Sequence, residues 1–113
     1  MNISDYVREA YENAKEKGWH DKERSIGDLI CLMHSELSEA LEEHRNGRAP
    51  QEIYYNSNSE KPDKPEGIPI ELADCVIRIF DFCGKYDIDL ADAIQEKMEY
   101  NKGRPYRHGN KTV

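Results

Sequence analysis

The sequence predicts an all-α fold, and three observations support that prediction. Apolar residues recur at helical spacing in several separate segments of the chain. Residues that commonly begin or end helices stand at the borders of these segments. No segment alternates between apolar and polar residues for long enough to indicate a β-strand. We therefore expect a bundle-like arrangement of four helices in a single domain that covers residues 1–113.

Capping residues give the approximate bounds of the four predicted helices. The helices are expected at about 2–17, 25–45, 68–85 and 89–103. The candidate N-caps are Asn2 or Ser4, then Ser25, and finally Asp87 or Asp89. Gly18 and Gly47 are expected to follow the first two helices, and Pro69 suits the first turn of the third.

The third predicted helix is apolar on more than half of its circumference. Its polar strip consists of Glu71, Asp74, Arg78 and Asp81. A helix that is apolar on most sides is packed by neighbours from its own chain or from another one. We therefore expect a homodimer, or a homotetramer built as a dimer of dimers, to complete the fold.

Two segments differ in character from the helices. Residues 47–66 contain three prolines and the run Asn-Ser-Asn-Ser, and we expect a long surface loop there. Ile53, Tyr54 and Tyr55 are candidates for attaching this loop to the domain. Residues 103–113 form a basic C-terminal tail, in contrast to the acidic remainder of the chain.

Composition indicates which classes of partner and which cellular compartment to expect. The formal net charge of −7 argues against a nucleic-acid partner, because phosphate backbones require a basic surface. No segment approaches the ~20 apolar residues of a membrane span, so no membrane association is expected. The three cysteines form no C-x-x-C pair, which is typical of a reduced, cytoplasmic protein.

Four carboxylates form two pairs with i, i+3 spacing, Glu36 with Glu39 and Glu71 with Asp74. Residues at this spacing share a helix face, so two adjacent helices could place all four around one point. Oxygen ligands of this kind suit Mg²⁺, with Mn²⁺ as a substitute, and such a cation can also bind substrate phosphates. Acids are common in a chain that is 35% charged, however, and Asp74 could instead pair with Arg78 at i, i+4.

The same segments resemble the MazG-like nucleoside triphosphate pyrophosphohydrolases. That family carries E-E-x-x-E on one helix, E-x-x-D on the next and a basic segment near the C-terminus. The similar segments here are HSELSEALEE at 34–43, ELADCVIRIFD at 71–81 and KMEYNKGRPYRHGNK at 97–111. The chain departs from the family pattern at Ser35, which stands where the first Glu of E-E-x-x-E would be.

The resemblance implies a MazG-type fold and Mg²⁺-dependent hydrolysis of a nucleoside or deoxynucleoside triphosphate to the monophosphate and pyrophosphate, as in nucleotide-pool sanitation. The expected metal ligands are Glu36, Glu39, Glu71 and Asp74, with Glu36 or Glu39 also activating water. The expected substrate-binding residues are Lys97, Asn101, Arg104 and Trp19. Trp19 could stack on the base or instead anchor a core or an interface.

Two other functions remain open from the sequence. One is a nucleotide sensor that binds without turnover, with Ser35 as the cause of its inactivity. The other is a helical interaction module whose apolar faces dimerise and whose acidic side chains are merely solvated. Binding without product release would indicate the sensor, and the absence of any magnesium effect on stability would indicate the module.

Overall fold

The computed structural model describes residues 1–57 and 63–106, and it is mostly helical, as the sequence predicts. In chain order the elements are α1 (Ile3–Glu16), α2 (Ile26–Arg45), β1 (Tyr54–Asn56), β2 (Lys64–Glu66), α3 (Ile68–Lys85) and α4 (Leu90–Lys102). Within these two ranges, every helix is too short or too polar to cross a lipid bilayer. The four helices in this order confirm the four predicted ones, whereas the expectation that the chain contains no strand is wrong.

Capping side chains define the starts of α1, α2 and α4, whereas α3 begins after Gly67 without a side-chain cap. Asn2, and not Ser4, caps α1: its side chain accepts a hydrogen bond from the backbone N–H of Asp5 at 2.8 Å. Ser25 caps α2 in the same way, and Asp89 caps α4. Each cap satisfies a backbone donor that the first turn of a helix leaves unpaired.

The long segment between α2 and α3 contains a small antiparallel sheet in place of an unstructured loop. Its two strands pair Tyr54 with Glu66 at one end. The hydroxyl of Tyr54 donates to the carboxylate of Glu43 on α2, with both oxygens at 2.9 Å, and the guanidinium of Arg48 lies 3.7 Å from the centre of its ring. Of the three residues expected to attach this segment to the domain, Tyr54 thus fixes the sheet to α2, whereas Ile53 and Tyr55 are exposed.

Helix α3 is central, because it packs against both α1 and α2, whereas α4 makes a smaller contact with α1. The α1–α3 approach is close at Gly84, where an added Cβ would lie only 2.4 Å from the Cβ of Tyr11. The rings of Tyr6 and Phe80 stack in the same interface, with their centres 5.8 Å apart. The direct packing of α2 against α3 places these two acid-bearing helices side by side.

The buried core of one chain is small. Among the described residues, the buried hydrophobic ones are Ala14, Ala40, Cys75 and Cys83, and no large side chain is fully buried. Leu37 and Leu41 on α2, and Leu72 and Val76 on α3, are each close to half exposed. The radius of gyration is 16.9 Å, against about 13 Å for a compact chain of this length. A single chain is therefore elongated and leaves much of its apolar surface uncovered.

Candidate metal centre and adjoining cavity

Three of the four predicted metal ligands meet where α2 faces α3. Glu36, Glu71 and Asp74 each offer one carboxylate oxygen, and these oxygens all lie within 4.8 Å of one another. Glu71 and Asp74 share a face of α3 because they are three residues apart. Glu36 is buried on the facing side of α2. We refer to these three residues as the acidic cluster.

Glu39 adjoins the acidic cluster without belonging to it. Its carboxylate lies within hydrogen-bonding reach of Glu71, and both this contact and its negative charge raise the pKa of Glu71. Unlike Glu36, Glu39 is exposed to solvent. The fourth predicted ligand is therefore placed at the open edge of the cluster.

Glu71 shows most clearly that the acidic cluster is electrostatically unfavourable as it stands. Its Oε2 is shielded from solvent and has no hydrogen-bond partner in the described ranges. Burial, the contact with Glu39, and the charges of Glu39, Asp74 and Glu36 raise the pKa of Glu71 to about 8. Burial and the charge of Glu36 also raise the pKa of Asp74. Such groups are costly unless a cation or a hydrogen bond offsets the charge.

One arginine partly offsets the negative charge of the acidic cluster. The Nε of Arg78 on α3 donates to Oε1 of Glu36 across the helix interface at 2.8 Å, and the two side chains are 32% and 10% exposed. The ion pair thus forms with Glu36 rather than with Asp74, its alternative partner at i, i+4. Arg78 still acts on Asp74 at a distance, because its positive charge opposes the rise in the pKa of Asp74.

A cavity of about 300 Å³ adjoins the acidic cluster and extends to the connection between α1 and α2. Its lining includes Glu36, Asp74, Arg78, Trp19, His20 and Asp81. Trp19 is 51% exposed, so it is not a core residue of a single chain. The guanidinium groups of Arg24 and Arg78 lie 5.4 and 5.9 Å from the centre of its ring. The predicted base-stacking residue and two predicted metal ligands therefore line one cavity.

Sequence reasoning missed the pair formed by His20 and Asp81 in this cavity. The His20 Nε2 and the Asp81 Oδ1 are 2.7 Å apart, although the residues are separated by 61 positions in the chain. No local spacing links a residue in the α1–α2 connection to one on α3. Two features of the sequence could have pointed to this pair. They are the polar strip of α3, which contains Asp81, and the position of His20 directly after Trp19.

The other predicted substrate-binding residues do not meet the acidic cluster within one chain. Lys97 and Asn101 lie on α4, and Arg104 comes two residues after the end of that helix. The charged groups of Lys97 and Arg104 lie 4.9 and 5.6 Å from the centre of the Tyr100 ring, away from the residues that line the cavity. Their contact with a nucleotide stays a prediction. The basic residues of the tail from position 107 onward lie outside the described residues.

The acidic cluster fits a hard divalent cation. Mg²⁺ and Mn²⁺ favour carboxylate oxygens, and Glu36, Glu71 and Asp74 offer three of these at close range. The shielded Oε2 of Glu71, which has no partner in residues 1–57 and 63–106, is a donor atom that a cation would satisfy. The residues present are thus chemically suited to hold the metal that the sequence predicts.

Comparison with known proteins found no relative of this chain. No protein-family model, no curated protein and no solved structure matches the chain.

Proposed function

We propose that this chain is a Mg²⁺-dependent hydrolase that converts a nucleoside or deoxynucleoside triphosphate and water to the monophosphate and pyrophosphate. The observation that carries the proposal is the convergence of Glu36, Glu71 and Asp74, whose oxygens lie within 4.8 Å. Three carboxylates at this range repel one another, and a shielded oxygen of Glu71 has no partner in the described part of the chain. Binding of a divalent cation would relieve both costs.

Each residue of the site has a chemical role in this proposal. Glu36, Glu71 and Asp74 would hold Mg²⁺, which when bound polarises phosphoryl oxygens and lowers the pKa of water. The exposed carboxylate of Glu39, within hydrogen-bonding reach of Glu71, would accept a proton from the attacking water. Arg78 carries a fixed positive charge beside the cluster, which suits phosphate oxygens.

The bond that breaks is assigned from the resemblance to the MazG-like family. Segments 34–43 and 71–81 carry that resemblance, and they supply the three residues of the acidic cluster. The family reaction implies attack at the α-phosphorus, which releases pyrophosphate in one piece. Removal of unwanted nucleotides from the cellular pool would be the corresponding role, and a cytoplasmic location accords with the three free cysteines.

Self-association is part of the same proposal. The exposed leucines of α2 and α3 and the elongated shape of one chain both favour a homodimer or a homotetramer. Lys97, Asn101 and Arg104 lie on or beside α4, a helix without a buried residue. Assembly offers a way for these basic and polar side chains to approach the acidic cluster of another subunit.

The experiment that tests the proposal is the release of pyrophosphate from a panel of NTPs and dNTPs in the presence of Mg²⁺. We expect release from at least one nucleotide, its loss in EDTA, and a large decrease in Glu39→Gln. Glu42→Gln is the matched control, because Glu42 lies on the same helix, is exposed and pairs with Arg45 on the surface. Folded protein that releases pyrophosphate from no nucleotide would overturn the proposal.

A specific observation favours a second candidate, a helical interaction module without catalysis. The Glu36–Arg78 ion pair gives a buried acid of the cluster a partner that is not a metal. The exposed apolar residues of α2 and α3 would then be the functional surface. A folded oligomer whose thermal stability does not respond to Mg²⁺, and which releases no pyrophosphate, would favour this candidate.

A further inference from the structure

The cavity beside the acidic cluster contains a polar pair that the proposed reaction does not use. The His20 Nε2 and the Asp81 Oδ1 are 2.7 Å apart, and the two side chains are 14% and 21% exposed. Both residues line the cavity that also includes Glu36 and Asp74. A largely buried carboxylate at a cavity wall is a strong hydrogen-bond acceptor for whatever enters that cavity.

The pair is held in place from two sides. The ring of His20 packs against that of Tyr11 on α1, with their centres 5.4 Å apart. Asp81 lies on α3 one turn after Arg78, on the same helix face. In the described ranges, His20 is the hydrogen-bond partner of Asp81 and engages Oδ1. The Oδ2 of Asp81 is therefore available as an acceptor.

Trp19 gives the same cavity an aromatic surface. It is the single tryptophan of the chain, it is half exposed, and it precedes His20 directly. A half-exposed indole ring suits a planar ligand, because stacking on an aromatic side chain tolerates any base, and a base stacked there would share the ring with the guanidinium groups of Arg24 and Arg78. The cavity volume of about 300 Å³ is at the lower end of the range for small-molecule sites.

From this arrangement we infer that Asp81, oriented by His20, selects a base with an exocyclic amino group when that base stacks on Trp19, the stacking residue predicted from the sequence. The inference rests on the proposed function, since the cavity is taken to hold the base of the nucleotide whose phosphates reach the acidic cluster. Carboxylates are established partners of the cytosine amino group in base recognition. Asp81 is thus a specificity-determining residue and His20 a positioning residue.

The chemistry of the carboxylate favours cytosine over uracil. The amino group of cytosine projects beyond the ring and presents its N–H to a single acceptor. Uracil has a carbonyl oxygen at that position, and its N3–H is recessed between two carbonyls, both of which a carboxylate would repel. An unpaired, repelled acceptor in a largely buried position is costly, and this cost is the source of the selectivity.

The test uses Trp19 as an intrinsic fluorescent probe and needs no turnover. Cytidine and uridine are titrated against the full chain without metal, with excitation at the red edge of tryptophan absorption to limit nucleoside absorbance. We expect quenching by both nucleosides, with cytidine binding about tenfold more tightly. In Asp81→Asn the preference should fall to about parity. Asp92→Asn, which alters an exposed aspartate on α4, should keep the wild-type ratio.

The ratio of the two affinities separates recognition from a structural role. If the His20–Asp81 pair merely ties the α1–α2 connection to α3, its loss weakens the binding of both nucleosides equally. The ratio of the two affinities then stays unchanged. Equal binding of the two nucleosides, a preference for uridine, an unchanged ratio in folded Asp81→Asn, or no quenching would overturn the inference. Cytidine selectivity in a protein that releases no pyrophosphate would refute the proposed hydrolysis alone.

Discussion

The carboxyl group of Glu71 is the most informative single group in the acidic cluster. Its pKa rises from 4.5 to about 8, chiefly because of burial and then because of the neighbouring acids. Between these two pH values the folded, metal-free protein holds a proton that the unfolded chain has released. This group therefore lowers the free energy of unfolding progressively as the pH rises through that window.

Glu71→Gln should remove this pH dependence. In EDTA, we predict that the melting temperature of the wild type falls relative to that of Glu71→Gln as the pH rises from about 4.5 to about 8. Saturating Mg²⁺ should stabilise the wild type most at the upper end of the window, where the carboxylate is ionised. Parallel pH profiles for the two proteins would contradict this account.

Arg78→Met tests the ion pair that partly offsets the charge of the cluster. Glu36 would be left buried without its partner, and we predict a loss of about 2 kcal/mol in the free energy of unfolding without metal. Mg²⁺ should recover more stability in this variant than in the wild type. Arg45→Met, at an exposed pair with a 3.6 Å separation, should change stability by less than about 0.5 kcal/mol. Urea denaturation with and without Mg²⁺ measures all three effects.

Contacts between distant residues explain what the sequence could and could not predict at this scale. Helical spacing placed Glu71 and Asp74 on one face, and the structure brings Glu36 to them. Spacing alone could not decide whether Arg78 pairs along α3 with Asp74 or across the interface with Glu36. The bond between His20 and Asp81 depends on how the α1–α2 connection lies against α3, which no local pattern encodes.

At the scale of elements, the helices were predictable because three of them begin at a capping side chain and α3 carries Pro69 in its first turn. Asn2, Ser25 and Asp89 each accept a hydrogen bond from the first turn of the following helix. The β1–β2 sheet was not predictable, because each strand has only three residues and one of them contains Pro65. Strands this short show no alternation, and the hydrogen bond from Tyr54 to Glu43 on α2 joins residues that no local pattern links.

Tyr54→Phe should therefore weaken the sheet and its attachment to α2. Loss of the hydrogen bond that the Tyr54 hydroxyl shares between the two carboxylate oxygens of Glu43 should cost about 1 kcal/mol in the free energy of unfolding. Tyr55→Phe is the matched control, because Tyr55 is exposed on the neighbouring position and should have almost no effect. Chemical denaturation of both variants measures the difference, and equal stabilities would show that Tyr54 does not anchor the sheet.

At the scale of the whole molecule, the central helix α3 packs against α1 and α2 but still exposes apolar residues. The described residues of one chain include no fully buried large side chain, which is unusual for a stable domain. The sequence indicated this imbalance through the broad apolar face of α3. It could not indicate which part of that face a second copy would cover in the proposed assembly, since that would depend on the shape of the whole bundle.

Sedimentation should accordingly show a homodimer or a homotetramer at micromolar concentration. Leu72→Glu places a charge among the exposed apolar residues of α3, and we predict a shift toward the monomer. Tyr55→Glu, which alters an exposed residue of the hairpin, should leave the oligomeric state unchanged. A wild-type chain that stays monomeric would refute the assembly proposal.

The central claim is that the acidic cluster holds a divalent cation, and direct Mn²⁺ binding tests it most simply. The free Mn²⁺ signal in electron paramagnetic resonance is measured against the folded wild type, Asp74→Asn and Asp92→Asn. We predict saturable binding that Mg²⁺ displaces, an affinity at least about tenfold weaker in Asp74→Asn, and wild-type affinity in Asp92→Asn. A wild type that does not bind Mn²⁺, or an Asp74→Asn variant that binds it equally well, would contradict the claim.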